Sequence, residues 1–359
     1  MRSYNYLANE LPRELIEVYS DIEQELLRIY VRELKKGTEP AMVFAKMQDK
    51  VKTYDQKTQD ILAIIMEDRN KKDVAQGVKD FKEEPTESQA VSKGEANALV
   101  TPLLVAGIGI LTALNMQIIN NVMNEYTSDY IGREASERRG GFGAVSDFLQ
   151  SAFKNLANNG ITIRQAIGGQ SRDYAIENVI RRDVMYKVNQ ASAKVNMKNF
   201  EKSSAKFIEV SSHPTARTWN KYMKYPYEDH SSWQGKCYYS RDGEYVEGYQ
   251  EFESTCGYGE MLGIGGINCY HQFEMNYTGE AVATQYEDKD VQKQYALSQQ
   301  QRKYERAIRK LKSARAVFEE AGDTGLAKSI GKDVRMATAR LRTFCGDNNL
   351  IYYNWRTQI

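Results

Sequence analysis

The sequence predicts an α+β fold that is mainly helical, with long N-terminal and C-terminal helices around a small mixed α+β domain containing short strands. Three observations carry that class. Apolar residues recur in steps of three and four near both ends of the chain, the period of one helix face. Short β-prone runs broken by glycine turns are confined to the stretch between Phe207 and Gly279. Hydrophobic residues make up 41% and charged residues 27%, a balance that supports a packed core beneath a well-solvated surface.

At the N-terminus, Leu11, Leu15, Val18, Ile22, Leu26 and Ile29 mark one face of a long helix, which Gly37 and Pro40 end. A second face runs through Phe44, Met47, Val51 and Tyr54 to Ile61, Leu62 and Ile65, so an antiparallel helical pair is expected. The polar stretch from Asp80 to Gly94, with Pro85, reads as a connector. Leu99 to Ile119 is the most apolar segment. Thr101, Pro102, Thr112, Asn115 and Gln117 interrupt it and leave it short of the ~20 residues that cross a bilayer, so a buried helix, or one sealed against a partner subunit, and no stable membrane insertion are expected. Arg138-Arg139-Gly140-Gly141-Phe142-Gly143 reads as a hinge, and the helix signals beyond it stop at Asn158-Asn159-Gly160.

After Thr162 a helix is expected from Asp173 to about Asn199, with Ile176, Ile180, Val184, Val188 and Ala191 on one side. The β-prone runs are Phe207-Ile208-Glu209-Val210 and Gly235-Lys236-Cys237-Tyr238-Tyr239, with a turn at Arg241-Asp242-Gly243. Helical spacing returns in Tyr304, Ile308, Leu311 and Phe318, breaks at Gly322-Asp323-Thr324-Gly325, and continues through Ile330, Val334, Ala337 and Leu341. The expected divisions are an N-terminal helical hairpin over 1–84, a connector with apolar helix and glycine hinge over 85–160, a helical segment over 161–206, the small α+β His/Cys/Gly motif domain over 207–283, and a C-terminal helical pair with tail over 284–359.

The 49 basic and 48 acidic side chains leave a formal charge of +1, so the chain has no long-range field for nucleic acid or an anionic membrane and would bind either through a local patch. Cys237, Cys256, Cys269 and Cys345 are too few for a disulfide scaffold and form no Cys-x-x-Cys pair, which fits a reducing cytosol. Met1 to Tyr6 lacks the apolar core and cleavage site of a secretory signal. Tyrosine, with 24 residues against 3 tryptophans, suits interfaces that are half buried and half wet.

All three histidines, His213, His230 and His271, lie in the stretch that also holds Cys237, Cys256 and Cys269. Ile267-Asn268-Cys269-Tyr270-His271-Gln272-Phe273 reads as a strand whose two-residue period puts Cys269 and His271 on one face. With His213 and His230 they would complete a nitrogen and sulfur set suited to tetrahedral zinc, although the spacing matches no standard finger. Two other readings stand beside it. Cys269 can be a small buried residue and the histidines ordinary hydrogen-bonded side chains. Alternatively His213, His230 and His271 act as general acid and base with Arg217 or Lys236 stabilising negative charge, as a metal-independent nuclease would use them. No cofactor is required by these patterns; zinc is the one that the donor set suggests.

Gly257-Tyr258-Gly259 and Gly263-Ile264-Gly265-Gly266 lack the lysine and hydroxyl of a phosphate-binding P-loop and read as tight turns. Arg302, Lys303, Arg306, Arg309, Lys310, Lys312 and Arg315 form a basic surface over an apolar stripe, able to meet DNA phosphates or an acidic patch on a neighbouring subunit. No aromatic base-stacking platform accompanies that helix.

Taken in order, Val210-Ser211-Ser212-His213-Pro214-Thr215-Ala216-Arg217, His230-Ser231-Ser232-Trp233-Gln234-Gly235-Lys236, Gly257-Tyr258-Gly259 and Leu262-Gly263-Ile264-Gly265-Gly266-Ile267-Asn268-Cys269-Tyr270-His271 resemble the signature of the phage minor capsid protein 2 family. The resemblance extends to Arg172-Asp173-Tyr174-Ala175-Ile176-Glu177, to Arg181-Arg182 and to Gln299 through Arg309, covers the N-terminal pair more loosely, and is weakest from about Pro85 to Gly160. It marks His213, Arg217, His230, Gln234, Gly235, Asn268, Cys269 and His271 as motif positions. One departure is a longer spacer, Thr218 to Asp229, which adds Tyr222, Tyr225 and Tyr227.

What the resemblance implies is a minor structural protein of a tailed-phage virion, made late, acting in head assembly near the portal, and distantly similar to Mu-type head morphogenesis proteins. Its implied partners are the portal and capsid proteins of the same phage, with packaged DNA a further candidate through the basic C-terminal helix. Its implied location is the head or neck, after assembly in the host cytoplasm. The alternative is a virion-associated nuclease or other hydrolytic effector using the His213, His230 and His271 cluster.

Overall fold

The computed structural model describes residues 13–83, 89–167 and 170–358. The segment Met1 to Tyr6, Leu11 and the Glu84 to Ser88 part of the connector lie outside these described residues.

Helix α1, Arg13–Lys36, buries Leu15, Val18, Ile22 and Leu26 on one face and carries Glu14 in its first turn and Lys35 and Lys36 in its last, charges that complement the helix dipole. Gly37 takes the left-handed cap conformation at φ 69°. Helix α2, Pro40–Asp80, opens on the proline, where a missing N–H costs nothing. Helix α3, Lys93–Asn159, is non-helical only at Gly141, with φ 59° and ψ −146°, so the expected glycine hinge is a kink between two helical stretches.

Strands β1, Thr162–Ile167, and β2, Gln170–Ala175, form an antiparallel hairpin. The helix expected from Asp173 therefore begins only with α4, Ile176–Val179. A π-helical turn, Ile180–Val184, joins α4 to α5, Met185–Lys202. Cross-strand pairing overrides the helical pattern here: Asp173 stands opposite Arg164 and accepts two hydrogen bonds from its guanidinium, both at 3.1 Å. Next come β3, Phe207–Val210, α6, His230–Trp233, β4, Cys237–Tyr238, α7, Phe252–Cys256, and β5, Phe273–Asn276. Strands β4, β3 and β5 make one antiparallel sheet in that order. Helices α8, Asp288–Ala321, and α9, Thr324–Asp347, follow, with the Asp323 carboxylate accepting from Leu326 N at 2.9 Å to cap α9.

The described chain divides into two compact units, each discontinuous in sequence. One comprises Asp60–Ile110 and Arg181–Ser298. Its core packs Ile208, Val210, Trp233, Tyr238, Phe252, Ile264, Cys269 and Phe273 with Ala193, Phe200 and Ala205. Polar side chains of α5 bind the backbone of the β5 segment, Asn196 Nδ2 donating to Phe273 O and Asn189 Nδ2 to Cys269 O, both at 3.0 Å. The second unit comprises Arg13–Gln59, Leu111–Ile180 and the chain from Gln299 on. There α1 and the first part of α2 run antiparallel, as Lys46 reaches Glu33 at 2.6 Å and Lys50 reaches Glu25 at 3.2 Å. Tyr30 donates to Asp129 at 2.6 Å, Tyr126 donates to the Thr38 carbonyl at 2.7 Å, and their two rings meet edge to face. Ile308, Leu341 and Cys345 form the contact of α8 with α9.

The apolar segment of α3 departs from expectation in length. Within Lys93–Gly141 an 18-residue window has a mean hydropathy of 1.9, so this helix is long and apolar enough to cross a membrane, and 33% of that window is buried. Threonine, asparagine and glutamine keep their backbone hydrogen bonds in a helix, so they dilute the segment without shortening it. Burial follows one face: Val100, Leu103 and Leu111 are buried, whereas Val105 and Met116 are exposed.

Candidate metal centre

The module is built on loops pinned to β3 and β5. Gly235, at φ 69°, turns the chain so that its N–H reaches the Val210 carbonyl at 3.1 Å, placing Gln234 beside the end of β3. Asp229 caps α6 by accepting from Ser231 N, and so sets His230 at the start of the helix. The segment from Ile267 to Gln272 is not strand, as the sequence pattern suggested, because β5 starts at Phe273. Asn268 sits at φ 55°, and the turns before it tie Cys269 N to Gly266 O at 3.2 Å. Cys269 and His271 nonetheless meet, with Sγ and Nδ1 3.7 Å apart.

One ligand atom from each of His230, Cys269 and His271 lies within 4.8 Å of the other two, and all three residues are buried. Hydrogen bonding fixes the tautomer of both rings. The Leu262 carbonyl, 2.8 Å from His230 Nε2, can only accept. Gln234 Oε1 already accepts the backbone N–H of His213 at 2.7 Å, so the oxygen end of the amide also faces His271 Nε2 at 3.1 Å. Both Nε2 atoms are therefore donors, and each ring keeps its lone pair on Nδ1. Tetrahedral zinc with ordinary bond lengths holds a sulfur and a nitrogen ligand about 3.5 Å apart, close to the 3.7 Å between Cys269 and His271. The three side chains could hold a metal ion, with Leu262 O and Gln234 as the outer partners that orient the imidazoles.

The electrostatics favour neutral imidazoles, the ligating form. Burial, helped by the Arg217 charge, brings His230 down to about 3. Burial and then the neighbouring His230, His213 and Arg217 hold His271 well below its ordinary value. Burial pushes the Cys269 thiol up, against backbone hydrogen bonds and the Arg217 charge that favour the thiolate, so a bound cation would have to displace its proton. Arg217 donates to Leu262 O at 3.2 Å and to Ile267 O at 2.5 Å, which locks the glycine-rich loop over the rings.

His213 stands apart from the triad. Its ring centroid is 6.5 Å from that of His271, and its Nδ1 accepts from Thr215 N at 3.1 Å, so Nε2 carries its proton. Of the other expected positions, Gln234 and Gly235 lie at the heart of the module. Gly257 faces the Tyr227 ring, and an added Cβ at Gly263 would overlap the Gly257 carbonyl while one at Gly266 would sit 2.5 Å from Met261 O. Gly259 turns at φ 89° with nothing within 4 Å of an added Cβ. On α8, Lys303, Arg306 and Lys310 are exposed, while Arg302 and Arg309 are half-buried and Arg309 donates to the Arg356 carbonyl. Arg306, Arg309 and Lys310 line a cavity of about 200 Å³ together with Glu23, Ser20 and Ser313. The partners that sequence reasoning missed, Leu262 O and the Thr215 N–H, are backbone groups, and no residue letter announces them.

Against known proteins, the sequence profile of phage minor capsid protein 2 matches residues 5–346. A "Structural protein" of Lactococcus phage LL-H is 33% identical over 97 residues, 26% of this chain and 26% of that protein. A "Structural protein" of Lactococcus phage mv4 is 29% identical over 97 residues, covering 26% of this chain and 79% of that shorter protein. The chain thus matches about a quarter of the LL-H protein's length. No solved structure matches. One profile runs unbroken through the N-terminal helices, the His/Cys module and the C-terminal helix pair, and on that extent the chain belongs to the phage minor capsid protein 2 family.

Proposed function

We propose that the chain is a minor component of a tailed-phage head, assembled beside the portal, in which the His/Cys module is a zinc-stapled scaffold. Family membership supports the virion role. The observation that carries the module's part is the buried group of His230, Cys269 and His271, in which the His271 Nε2 proton is spent on Gln234 and its Nδ1 lone pair faces Cys269 Sγ at 3.7 Å. Mixed nitrogen and sulfur donors select zinc over the oxygen-seeking cations.

An acid–base role for His213, His230 and His271 with Arg217 needs a proton to give near neutral pH, and His230 is held neutral down to about pH 3. Purified chain incubated with DNA across divalent cations is expected to leave it intact. Cleavage abolished by His230→Ala would reverse the assignment in favour of a nuclease.

Elemental analysis of the full chain, purified without chelator, is expected to return about one zinc per molecule, and a chelator is expected to lower its Tm. A folded, metal-free chain with the same Tm would remove the staple. For the head role, native mass spectrometry with portal and capsid proteins of the same phage is expected to show a complex, and density for the chain is expected at the portal vertex. Failure to associate with either partner would remove that placement. Packaged DNA would meet the exposed Lys303, Arg306 and Lys310.

A further inference from the structure

Between Arg217 and His230 the chain leaves the module and returns to the point it left. Arg217 Nη1 and His230 Nε2 share the Leu262 carbonyl, at 3.2 and 2.8 Å, and Ser231 N donates to Arg217 O at 3.0 Å. Residues 218–229 are therefore a closed surface loop on a fixed base. Its interior is also tied. Glu228 is buried and accepts from Lys224 N at 3.1 Å and Tyr225 N at 3.2 Å, Met223 N donates to Asn220 O at 3.1 Å, and Trp233 Nε1 donates to Tyr227 O at 3.0 Å. The rings of Tyr225 and Tyr227 lie nearly parallel, 9° apart in plane with centroids at 5.2 Å.

Outward, this scaffold presents three flat rings, one every third residue: Trp219 is 56% exposed, Tyr222 80% and Tyr225 53%. The other two tryptophans, Trp233 and Trp355, are buried. Between these rings in sequence stand Lys221 and Lys224, both exposed and in no ion pair among the described residues, with Lys221 Nζ over one face of the Tyr222 ring at 5.2 Å from its centroid. The acids nearby are turned away or spent: Glu228 points into the loop and Asp229 caps α6, leaving Glu260, whose charge is felt at Tyr227.

Rings held in water by an ordered backbone, with ammonium groups between them, complement a polymer that alternates flat π faces with negative charge. We propose that this loop is a platform for single-stranded nucleic acid, with bases stacking on Trp219, Tyr222 and Tyr225 and phosphates meeting Lys221 and Lys224. An acidic protein surface would answer the two lysines and leave the evenly spaced flat rings without matching faces. Duplex DNA hides its base faces and would engage the lysines alone. Because the loop is tied internally, little ordering cost falls on binding. The inference stands apart from both the zinc staple and the portal placement.

Trp219 is its own reporter. Titrating the full chain with a single-stranded oligo-dT of about 12 nucleotides, within the usual site size of such platforms, is expected to quench tryptophan emission. Affinity is expected to fall about 7-fold between 50 and 200 mM salt, as two neutralised phosphates dictate. The double variant Lys221→Ala, Lys224→Ala is expected to lose that salt dependence, and Tyr222→Ala to weaken binding at least about 5-fold, with Tm unchanged in each because the side chains are exposed. Unquenched emission, or full affinity of a folded Trp219→Ala, Tyr222→Ala variant read by fluorescence anisotropy of end-labelled oligo-dT, overturns the proposal. So does equal affinity for duplex DNA, or binding to polyglutamate or anionic vesicles without binding to oligo-dT.

Discussion

The side-chain oxygen of Gln234 accepts from His213 N and from His271 Nε2, so one amide fixes both the loop that carries His213 and the tautomer of a candidate ligand. Gln234→Leu is expected to cost about 1–3 kcal/mol, because it leaves a buried N–H without an acceptor. It is also expected to weaken metal binding by roughly 10–100-fold, as loss of an outer-shell partner does. Thermal melts and chelator competition separate the two effects, and unchanged competition would mean that the amide does not tune the ring. Glu33 offers a pH test in the other unit. Burial raises its pKa, but hydrogen bonds from Lys46, Thr38 and Lys36 together outweigh burial and bring the carboxyl from 4.5 down to about 2. A depressed carboxyl contributes stability that is present above the ordinary value and lost as pH falls toward the folded one. The wild type is therefore expected to lose Tm between about pH 4.5 and pH 2, and Glu33→Gln to flatten that decline while costing about 1.5–3 kcal/mol at neutral pH. An identical acid profile in the variant would show that Glu33 does not contribute.

Between α7 and β5 the chain is a succession of turns whose geometry depends on close backbone approach. Gly257 ends α7 at φ 64°, and Gly263 returns so near to it that any side chain would strike the Gly257 carbonyl. Gly263→Ala is expected to cost about 1–3 kcal/mol or more by overpacking and to spread the triad, which metal titration with melting would reveal. Gly109 in α3, with nothing within 4 Å of an added Cβ, is the control: Gly109→Ala is expected to hold or raise Tm, by up to about 1 kcal/mol of helix propensity. The glycine spacing announced turns, and turns are there. The strand expected through Cys269 and His271 is not, because Asn268 takes a left-handed angle that no period-two pattern encodes. The helix expected from Asp173 likewise gave way to β2, since pairing with β1 is a long-range event that local periodicity does not contain.

From Arg13 onward the chain passes between the units four times, and neither unit is a continuous stretch of sequence. Apolar residues on α3 that neither unit buries, Val105 and Met116, are available to a partner. Val105→Glu and Met116→Glu are expected to leave Tm within about 0.5 kcal/mol equivalent of wild type, as surface changes do, while reducing incorporation into assembled heads, read by immunoblot of purified particles. Full incorporation with unchanged stability would show that neither side chain is used in assembly.

The sequence by itself determined where the long N-terminal and C-terminal helices lie, that the chemistry-bearing residues cluster between β3 and β5, and which family their order resembles, because periodicity and side-chain type are written in the residues. Tertiary structure alone decided which histidines join Cys269. His230 and His271 do so because Leu262 O and Gln234 take their Nε2 protons, and His213 does not because Thr215 N occupies its Nδ1. Those deciding contacts are made largely by backbone groups that every residue shares, so only the folded chain can assign them.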